Sequence, residues 1–195
     1  MAIDAKIVVQ LREMTGAGMM DAKKALTETD GDLEKAAELL RKKGIAKAAG
    51  KAERETKEGR VHAYIHSNGK LGAMVEVQCE TDFVARTDAF KELCNDIAMH
   101  VSATDPLYVK REQVPEEVVQ KQKELFTEEA GSGKPADILE KIVGGKMDKW
   151  FSEVVLMEQP FIKDEDKTID EVIKEKIATI GENIQVTRAS RFMIG

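Results

Sequence analysis

The stretch from Val61 to Val77 alternates apolar and polar side chains on both sides of a single turn signal. One alternating run ends at Ile65, the next begins at Leu71, and Ser67-Asn68-Gly69-Lys70 lies between them. Period-two alternation is typical of a β-strand, and Asn-Gly between two such runs is a hairpin signal. The sequence therefore predicts an antiparallel hairpin.

Two helices and a third strand are predicted to complete this core. Residues 87–103 should form a helix that lies across the sheet, because apolar residues recur there at helical spacing: Phe90, Leu93, Cys94, Ile97 and Val101. Thr168 can cap another helix that ends near Gly181, and residues 184–194 are predicted to be the last strand. The predicted fold class is α+β, with helices packed on a three-stranded antiparallel sheet.

Two more amphipathic helices are predicted at residues 115–129 and 136–151. The connection between them, Gly131-Ser132-Gly133-Lys134-Pro135, is short enough to make them an antiparallel, projecting helical hairpin. The connection resembles a phosphate loop only superficially, because Pro135 stands where Ser or Thr is needed. The residues expected to face one another are Val118, Val119, Leu125 and Phe126 on one helix and Ile138, Leu139, Ile142, Val143 and Trp150 on the other.

The first 44 residues predict three short helices, because apolar residues recur at helical spacing in three successive runs. Asp4 can cap the first helix, and Gly44 is predicted to end the third. Residues 45–60 contain almost no large apolar side chain, which indicates a partly helical linker. The predicted domains are a three-helix module at 1–44, the linker at 45–60, and an α+β core at 61–195 that carries the helical hairpin. So small a module either packs permanently on the next domain or binds a partner.

Composition limits the classes of function. The chain has 195 residues, of which 34% are charged, and a formal net charge of -6. Nucleic acids and anionic membranes require a basic footprint, so we expect direct binding to neither. No apolar run approaches the ~20 residues that span a bilayer, and Asp4 interrupts the N-terminal segment, so a cytoplasmic location is expected. Cys79 and Cys94 are too few for a disulfide framework and are expected to be reduced.

No arrangement of catalytic or metal-binding residues can be identified. His62 and His66 would stand about 13 Å apart along a strand, too far for one ion, and both are expected to lie at the surface. His100 has no nucleophile beside it in the sequence and is expected to be a satisfied, partly buried histidine. Glu80 and Asp82 would point to opposite faces of a strand, which makes them a poor acid-base pair. We therefore predict no enzymatic activity, no cofactor and no metal site.

The stretch Cys79-Glu80-Thr81-Asp82-Phe83-Val84-Ala85-Arg86 joins the hairpin to the helix that follows it. Thr81 and Asp82 are N-capping residue types, so the chain should turn here and begin a helix near Val84 or Thr87. Phe83 is then held at a corner. Chemistry alone leaves two interpretations open for its ring: a lid over the local core, or a rigid apolar wedge.

Two motifs of this chain, in this order, resemble the elongation factor Ts family. The first is Met14-Thr15-Gly16-Ala17-Gly18-Met19-Met20-Asp21-Ala22-Lys23-Lys24-Ala25-Leu26, and the second is the stretch around Phe83. Further matches extend the resemblance over nearly the whole chain: Ile97-Ala98-Met99-His100-Val101, Gln159-Pro160-Phe161-Ile162, Lys167-Thr168-Ile169 and Arg191-Phe192.

The resemblance implies a guanine-nucleotide exchange factor that promotes GDP release from the translation GTPase elongation factor Tu. It implies that four residues push into the GDP-bound partner and dislodge its Mg²⁺: Thr81, Asp82, Phe83 and Val84. It also implies that the N-terminal module has a ubiquitin-associated-type fold and contacts the same partner, and we assign that contact to Gly16, Ala17, Met19 and Met20. The alternative is an adaptor of the ubiquitin-associated type without exchange activity, which leaves the stretch around Phe83 unexplained.

The two faces of the sheet predict a homodimer. The predicted helices can cover only one face of a three-stranded sheet. If they cover the face of Leu71, Ala73, Val75 and Val77, then Met74, Glu76 and Gln78 lie on a mixed, open face. A second copy of the chain, related by a two-fold axis, would cover it.

Overall fold

A computed structural model of the chain describes residues 3–131 and 135–195. The chain divides into two compact units. The first comprises Met1–Gly59, Gln78–Phe90 and Glu171–Gln185, and the second comprises Arg60–Val77, Lys91–Asp170 and Val186–Gly195. Each unit therefore combines segments that are distant in the sequence.

The first unit begins with the predicted three helices, α1 (Ala5–Thr15), α2 (Met19–Glu28) and α3 (Leu33–Ala49). Asp4 caps α1 by accepting a 3.0 Å hydrogen bond from the Lys6 amide. The apolar faces of the three helices meet in one buried cluster: Val8, Leu11, Ala22, Ala25, Leu26 and Ala36. The three-helix arrangement is thus confirmed.

The predicted end of the third helix at Gly44 is wrong, because α3 continues to Ala49 with Gly44 buried inside it. The alanines that follow Gly44 are strong helix formers and carry the helix onward. A Cβ atom on Gly44 would lie 3.2 Å from the Cβ of Ala178, which belongs to α8 (Ile169–Ile180). The glycine therefore permits a close helix contact. The first residues of the predicted linker are helical, and the division into 1–44, 45–60 and 61–195 remains a prediction.

A three-stranded antiparallel sheet confirms the predicted core, in the order β1 (Glu58–Ile65), β2 (Leu71–Cys79) and β5 (Ile184–Met193). The hairpin turns at Gly69, which has a left-handed φ of 66° and donates its amide to the His66 carbonyl oxygen at 2.8 Å. One face of β2 is buried as predicted, with Ala73, Val75 and Val77 inside and Met74 exposed.

The predicted helix over residues 87–103 is confirmed as α5 (Asp88–Thr104). Its predicted apolar stripe is buried throughout: Phe90, Leu93, Cys94, Ile97 and Val101. The His62 Nε2 of β1 lies 3.4 Å from Asn95 Oδ1 of this helix, and the Arg191 Nε of β5 donates to the Ser102 carbonyl oxygen at 2.8 Å. These bonds hold α5 across the sheet.

In β1 the apolar side chains take the open face. Val61 and Ile65 are 62% and 66% exposed, whereas His62, expected at the surface, is half-buried towards α5. His66 is exposed as expected. The sequence of β1 shows that side chains alternate between two faces. It does not show which face α5 covers, because a polar residue such as His62 can bond to that helix.

The helical hairpin is confirmed as α6 (Glu116–Ala130) and α7 (Ala136–Val154), while Ser132, Gly133 and Lys134 of its predicted turn lie outside the described residues. Its core contains Val114, Val143, Met147, Phe151 and Val155, with Val118, Val119, Phe126, Leu139 and Trp150 partly buried against them. Leu125 and Ile138 were expected inside but are exposed. Leu125 directly precedes the partly buried Phe126, and Ile138 directly precedes the partly buried Leu139. One position corresponds to about 100° around the helix, so both side chains point away from the core.

A short strand pair that the sequence did not predict, β3 (Pro160–Phe161) with β4 (Asp164–Thr168), lies near His100. His100 is completely buried, with Nε2 2.9 Å from Gln159 Oε1 and Nδ1 accepting the Ile162 amide at 3.4 Å. Burial lowers the pKa of this imidazole. The histidine is therefore satisfied, as expected, and more deeply buried than predicted.

Candidate partner-binding site

The chain leaves β2 at Cys79 and forms a capped turn at Thr81. Thr81 is extended, and its Oγ1 accepts the Val84 amide at 3.4 Å, which starts the short helix α4 (Asp82–Arg86). Thr87 then begins the next helix, because its Oγ1 accepts the Phe90 amide at 3.3 Å. The predicted junction from strand to helix is thus present, with the first helical residue slightly earlier than expected.

Phe83 is the most exposed large apolar side chain of this turn, at 78%. Ala85, two residues on, is the residue that closes the local core, and Val84 is half-buried. The interpretation of Phe83 as a lid is therefore wrong. Asp82 pairs with Arg86 of the same helix at 2.8 Å, an exposed contact of small energetic value.

A carboxylate far away in the sequence holds this turn. Glu182 accepts three hydrogen bonds: from the Glu80 amide at 3.1 Å, the Thr81 amide at 3.0 Å and the Thr81 hydroxyl at 2.7 Å. In return, the Asn183 amide donates to Glu80 Oε1 at 2.6 Å. Because the Glu182 carboxylate accepts hydrogen bonds from two successive amides, it fixes the direction of the backbone where β2 ends. It therefore also fixes the direction in which residues 82–84 continue.

Asn183 extends this network to the segment after α3. Its side chain is buried and donates to the carbonyl oxygens of Ala52 at 3.3 Å and Arg54 at 2.7 Å. Lys51 also bonds to the Gly181 carbonyl oxygen. Residues of the predicted linker are therefore hydrogen-bonded to the segment that follows α8.

Cys79 lies beneath the turn and is sealed from solvent. Its thiol donates to the Thr81 carbonyl oxygen at 3.2 Å. Burial, followed by the nearby charges of Glu182 and Glu58, raises the pKa of Cys79 to about 11. At neutral pH the residue is an inert thiol.

The second motif forms the turn between α1 and α2. Gly16 ends α1 in the left-handed conformation, with φ 66°, and donates to the Arg12 carbonyl oxygen at 2.8 Å. Ala17 donates its amide to Thr15 Oγ1 at 3.3 Å. Met19 and Met20 then open α2 with both side chains exposed. Adjacent exposed methionines are typical of adaptable protein-binding surfaces.

The two motifs contact neighbouring residues, one at the C-terminal end of α8 and one just beyond it. A Cβ atom at Gly16 would lie 3.5 Å from the Thr179 Cγ2 of α8, and Glu182 of the Thr81 turn follows Thr179 by three residues. Both motifs belong to the first compact unit. The sequence did not identify Glu182, although an acidic residue directly after a helix C-terminus is unfavourable for the helix dipole and was a usable signal.

Residues 3–131 and 135–195 contain neither a candidate metal cluster nor a membrane-spanning helix. No group of three or more His, Cys, Asp or Glu side chains in these ranges is arranged to hold a metal ion. No helix in the same ranges is long and apolar enough to cross a membrane.

Comparison with known proteins gives consistent matches. A family model described as "Elongation factor TS" matches residues 21–195. Elongation factor Ts of Thermosipho melanesiensis is 57% identical over 194 residues, which cover 99% of both chains. Elongation factor Ts of Fervidobacterium nodosum is 56% identical over 196 residues and 100% of both chains. That of Geobacter sulfurreducens is 53% identical and covers all of this chain and 91% of its own.

These relatives, together with the α+β core, define a translation elongation factor. The chain belongs to the elongation factor Ts family. The Thr81 turn lies inside the range matched by the family model, whereas Gly16, Ala17, Met19 and Met20 precede it and are covered by the full-length relatives.

Proposed function

We propose that this chain is the guanine-nucleotide exchange factor of elongation factor Tu and that Phe83 is the wedge that drives GDP release. Membership in the elongation factor Ts family supports the activity, and it disfavours an adaptor without exchange activity. The observation that carries the wedge is the 78% exposed ring on a turn whose backbone is fixed by Glu182. A backbone that is already fixed lowers the conformational entropy that the turn loses when its apolar side chain enters a partner.

The mechanism requires no covalent chemistry. Factor and nucleotide must weaken each other's binding to elongation factor Tu by the same free energy, because the coupling between two sites is reciprocal. The Thr81 to Val84 turn would push into the GDP-bound partner and dislodge the Mg²⁺ that this partner holds with its nucleotide. Burial of one phenylalanine contributes about 1.5 to 3 kcal/mol, which corresponds to roughly ten- to a hundred-fold in an equilibrium constant.

The remaining binding energy would come from the N-terminal turn and from contacts of the α+β core with a second domain of the partner. Gly16 is exposed, Ala17 is half-buried, and Met19 and Met20 add two exposed, flexible apolar side chains. Such side chains adapt to a partner and contribute affinity rather than distortion. The wedge and this contact therefore have separate roles, one in release and one in binding.

We further propose that the factor works in the cytoplasm as a homodimer, without direct contact with nucleic acid or membrane. The open face of the sheet carries Ile65 packed over Gly72, where a Cβ atom would lie 2.7 Å from Ile65 Cδ1. Exposed Met74 and the pair of Glu76 with Arg188, 2.5 Å apart, share this face of β2 and its neighbour. An apolar and charged surface of this kind suits a moderate interface of about 1,600 Å². Light scattering that gives a monomer mass at high micromolar concentration would contradict the dimer.

The activity is tested by mixing the full chain with elongation factor Tu that carries a fluorescent GDP analogue. Release followed by stopped-flow fluorescence should accelerate in a saturable manner with factor concentration. A release rate that does not change at any concentration of the chain would reject the proposed function.

A further inference from the structure

We infer that Glu182 is a positioning residue for nucleotide exchange: it fixes the Thr81 turn so that Phe83 points outwards. The inference rests on the proposed function, since it assigns Glu182 a part in delivering the wedge. Glu182 itself is half-buried and contacts the turn, whereas the ring it would position is exposed.

Hydrogen bonds connect the Glu182 carboxylate to the start of α4. The Thr81 hydroxyl gives its single proton to Glu182 Oε1, so its oxygen is free to accept the Val84 amide. Without the carboxylate the hydroxyl can rotate, and the cap of α4 loses its orientation. Because Phe83 is the second residue of that helix, the direction of its ring depends on the carboxylate.

The Glu182 carboxylate lies two residues beyond the C-terminus of α8. α8 ends at Ile180, and a negative charge so close to a helix C-terminus is unfavourable for the helix dipole. Three hydrogen bonds to the turn offset this cost. An acidic residue at this position is therefore explained by its role in orienting the turn, even if it adds nothing to the stability of the fold.

The segment that carries Glu182 also contacts the α1–α2 turn. Thr179 lies against Gly16, and Asn183 binds the main chain of Ala52 and Arg54. The segment from Thr179 to Asn183 therefore fixes the Thr81 turn with respect to the α1–α2 turn within the first unit. Glu182 thus links the residue proposed to cause release to the surface proposed to bind.

Four variants of the full chain test this role in the stopped-flow assay: Glu182→Ala, Glu182→Gln, Phe83→Ala, and the double variant Glu182→Ala with Phe83→Ala. Glu182→Ala should lower the maximal rate of GDP release about ten-fold and leave the half-saturating concentration within about two-fold. Glu182→Gln keeps an oxygen for the Glu80 and Thr81 amides but places an NH2 group against the Thr81 hydroxyl, so it should restore only part of the rate. Glu165→Ala, an exposed glutamate of β4, is the matched control and should behave as wild type.

The double variant separates positioning from general destabilisation. If Glu182 acts through Phe83, adding Glu182→Ala to Phe83→Ala should cost no more than about two-fold further in rate. A full additional ten-fold loss, or a wild-type rate for Glu182→Ala alone, would overturn the inference. If Glu182→Ala does not fold, Thr81→Val removes the same hydroxyl link and should give the same pattern.

A measurement without the partner distinguishes failure of this inference from failure of the proposed function. Hydrogen exchange of the free chain should show faster exchange at the Thr81 and Val84 amides in Glu182→Ala, with α1 and α2 unchanged. Equal protection in variant and wild type would overturn the positioning role. That result would do so whether or not the chain releases GDP.

Discussion

The Thr81 turn and the α1–α2 turn both present apolar side chains to solvent, but they are built differently. The first is held by hydrogen bonds to Glu182, which is 101 residues away from Thr81 in the sequence. The hydrogen bonds that hold the second are local: the left-handed Gly16 donates to the Arg12 carbonyl oxygen, and Ala17 donates to the Thr15 hydroxyl. One turn carries a rigid ring and the other carries two flexible methionines.

This difference indicates a division of tasks. A turn fixed by distant residues keeps its direction when it meets a partner, which suits a wedge that must distort a nucleotide site. A turn fixed locally, with unbranched side chains, adapts to the partner's surface and suits binding. The comparison predicts that changes in the Thr81 turn alter the maximal rate of release, and that changes in the α1–α2 turn alter the concentration of factor needed.

Deletion of residues 1–44 should give the largest effect. It removes every proposed binding residue of the α1–α2 turn, so the half-saturating concentration should rise by about a hundred-fold or more. The remaining chain should still melt in one cooperative transition, at a lower temperature because the contact of Gly44 with Ala178 is lost. Circular dichroism checks the melt. A non-cooperative melt would show that the first 44 residues are an integral part of the fold and that the predicted domain division is wrong.

Phe83→Ala should lower the maximal rate of GDP release by about ten- to a hundred-fold, because the ring's burial in the partner is lost. The melting temperature should not change, since the ring is exposed in the free chain. Leu107→Ala removes a similarly exposed apolar side chain from the second unit and should leave release unchanged. Unchanged release rates for Phe83→Ala would remove the wedge from the mechanism.

Features that depend on residues close together in the sequence could be predicted, and features that depend on distant residues could not. The β-hairpin, α5 and the α6–α7 pair were predictable because periodicity and turn residues are local signals. The end of α3 at Gly44 was predicted wrongly, because a glycine that stops a helix and one that permits a close contact with Ala178 look the same in a sequence. The sequence also did not indicate which face of β1 is open, because His62, a polar residue, lies on the side that faces α5.

The site was predictable in its exposed part and not in its support. Resemblance to a family indicated Phe83, and the structure adds that its ring is exposed. Glu182 could not be assigned to the turn from local patterns, because its bonds span more than 100 residues. Its acidic charge after a helix end was the single local hint.

Met20→Ala should raise the half-saturating concentration by roughly five- to ten-fold and leave the maximal rate unchanged. The side chain is exposed and opens α2, so its loss should not destabilise the free chain. The expected pattern is the reverse of that for Phe83→Ala. A lower maximal rate with an unchanged half-saturating concentration would show that the two turns do not divide binding from release.

The smallest expected effect concerns the thiol beneath the Thr81 turn. The folded chain raises the pKa of Cys79 to about 11, from an ordinary value of 9.0. The unfolded chain therefore loses the proton first as the pH rises, and the stability that the neutral thiol contributes is complete below pH 9 and declines between pH 9 and 11. Urea unfolding at pH 8 and pH 10 should show a loss for the wild type that is about 1 kcal/mol larger than for Cys79→Ala. Phe83→Ala should lose as much unfolding free energy as the wild type, because the exposed ring is not what buries the thiol. Equal losses in the wild type and in Cys79→Ala would mean that the turn does not shield Cys79 from solvent.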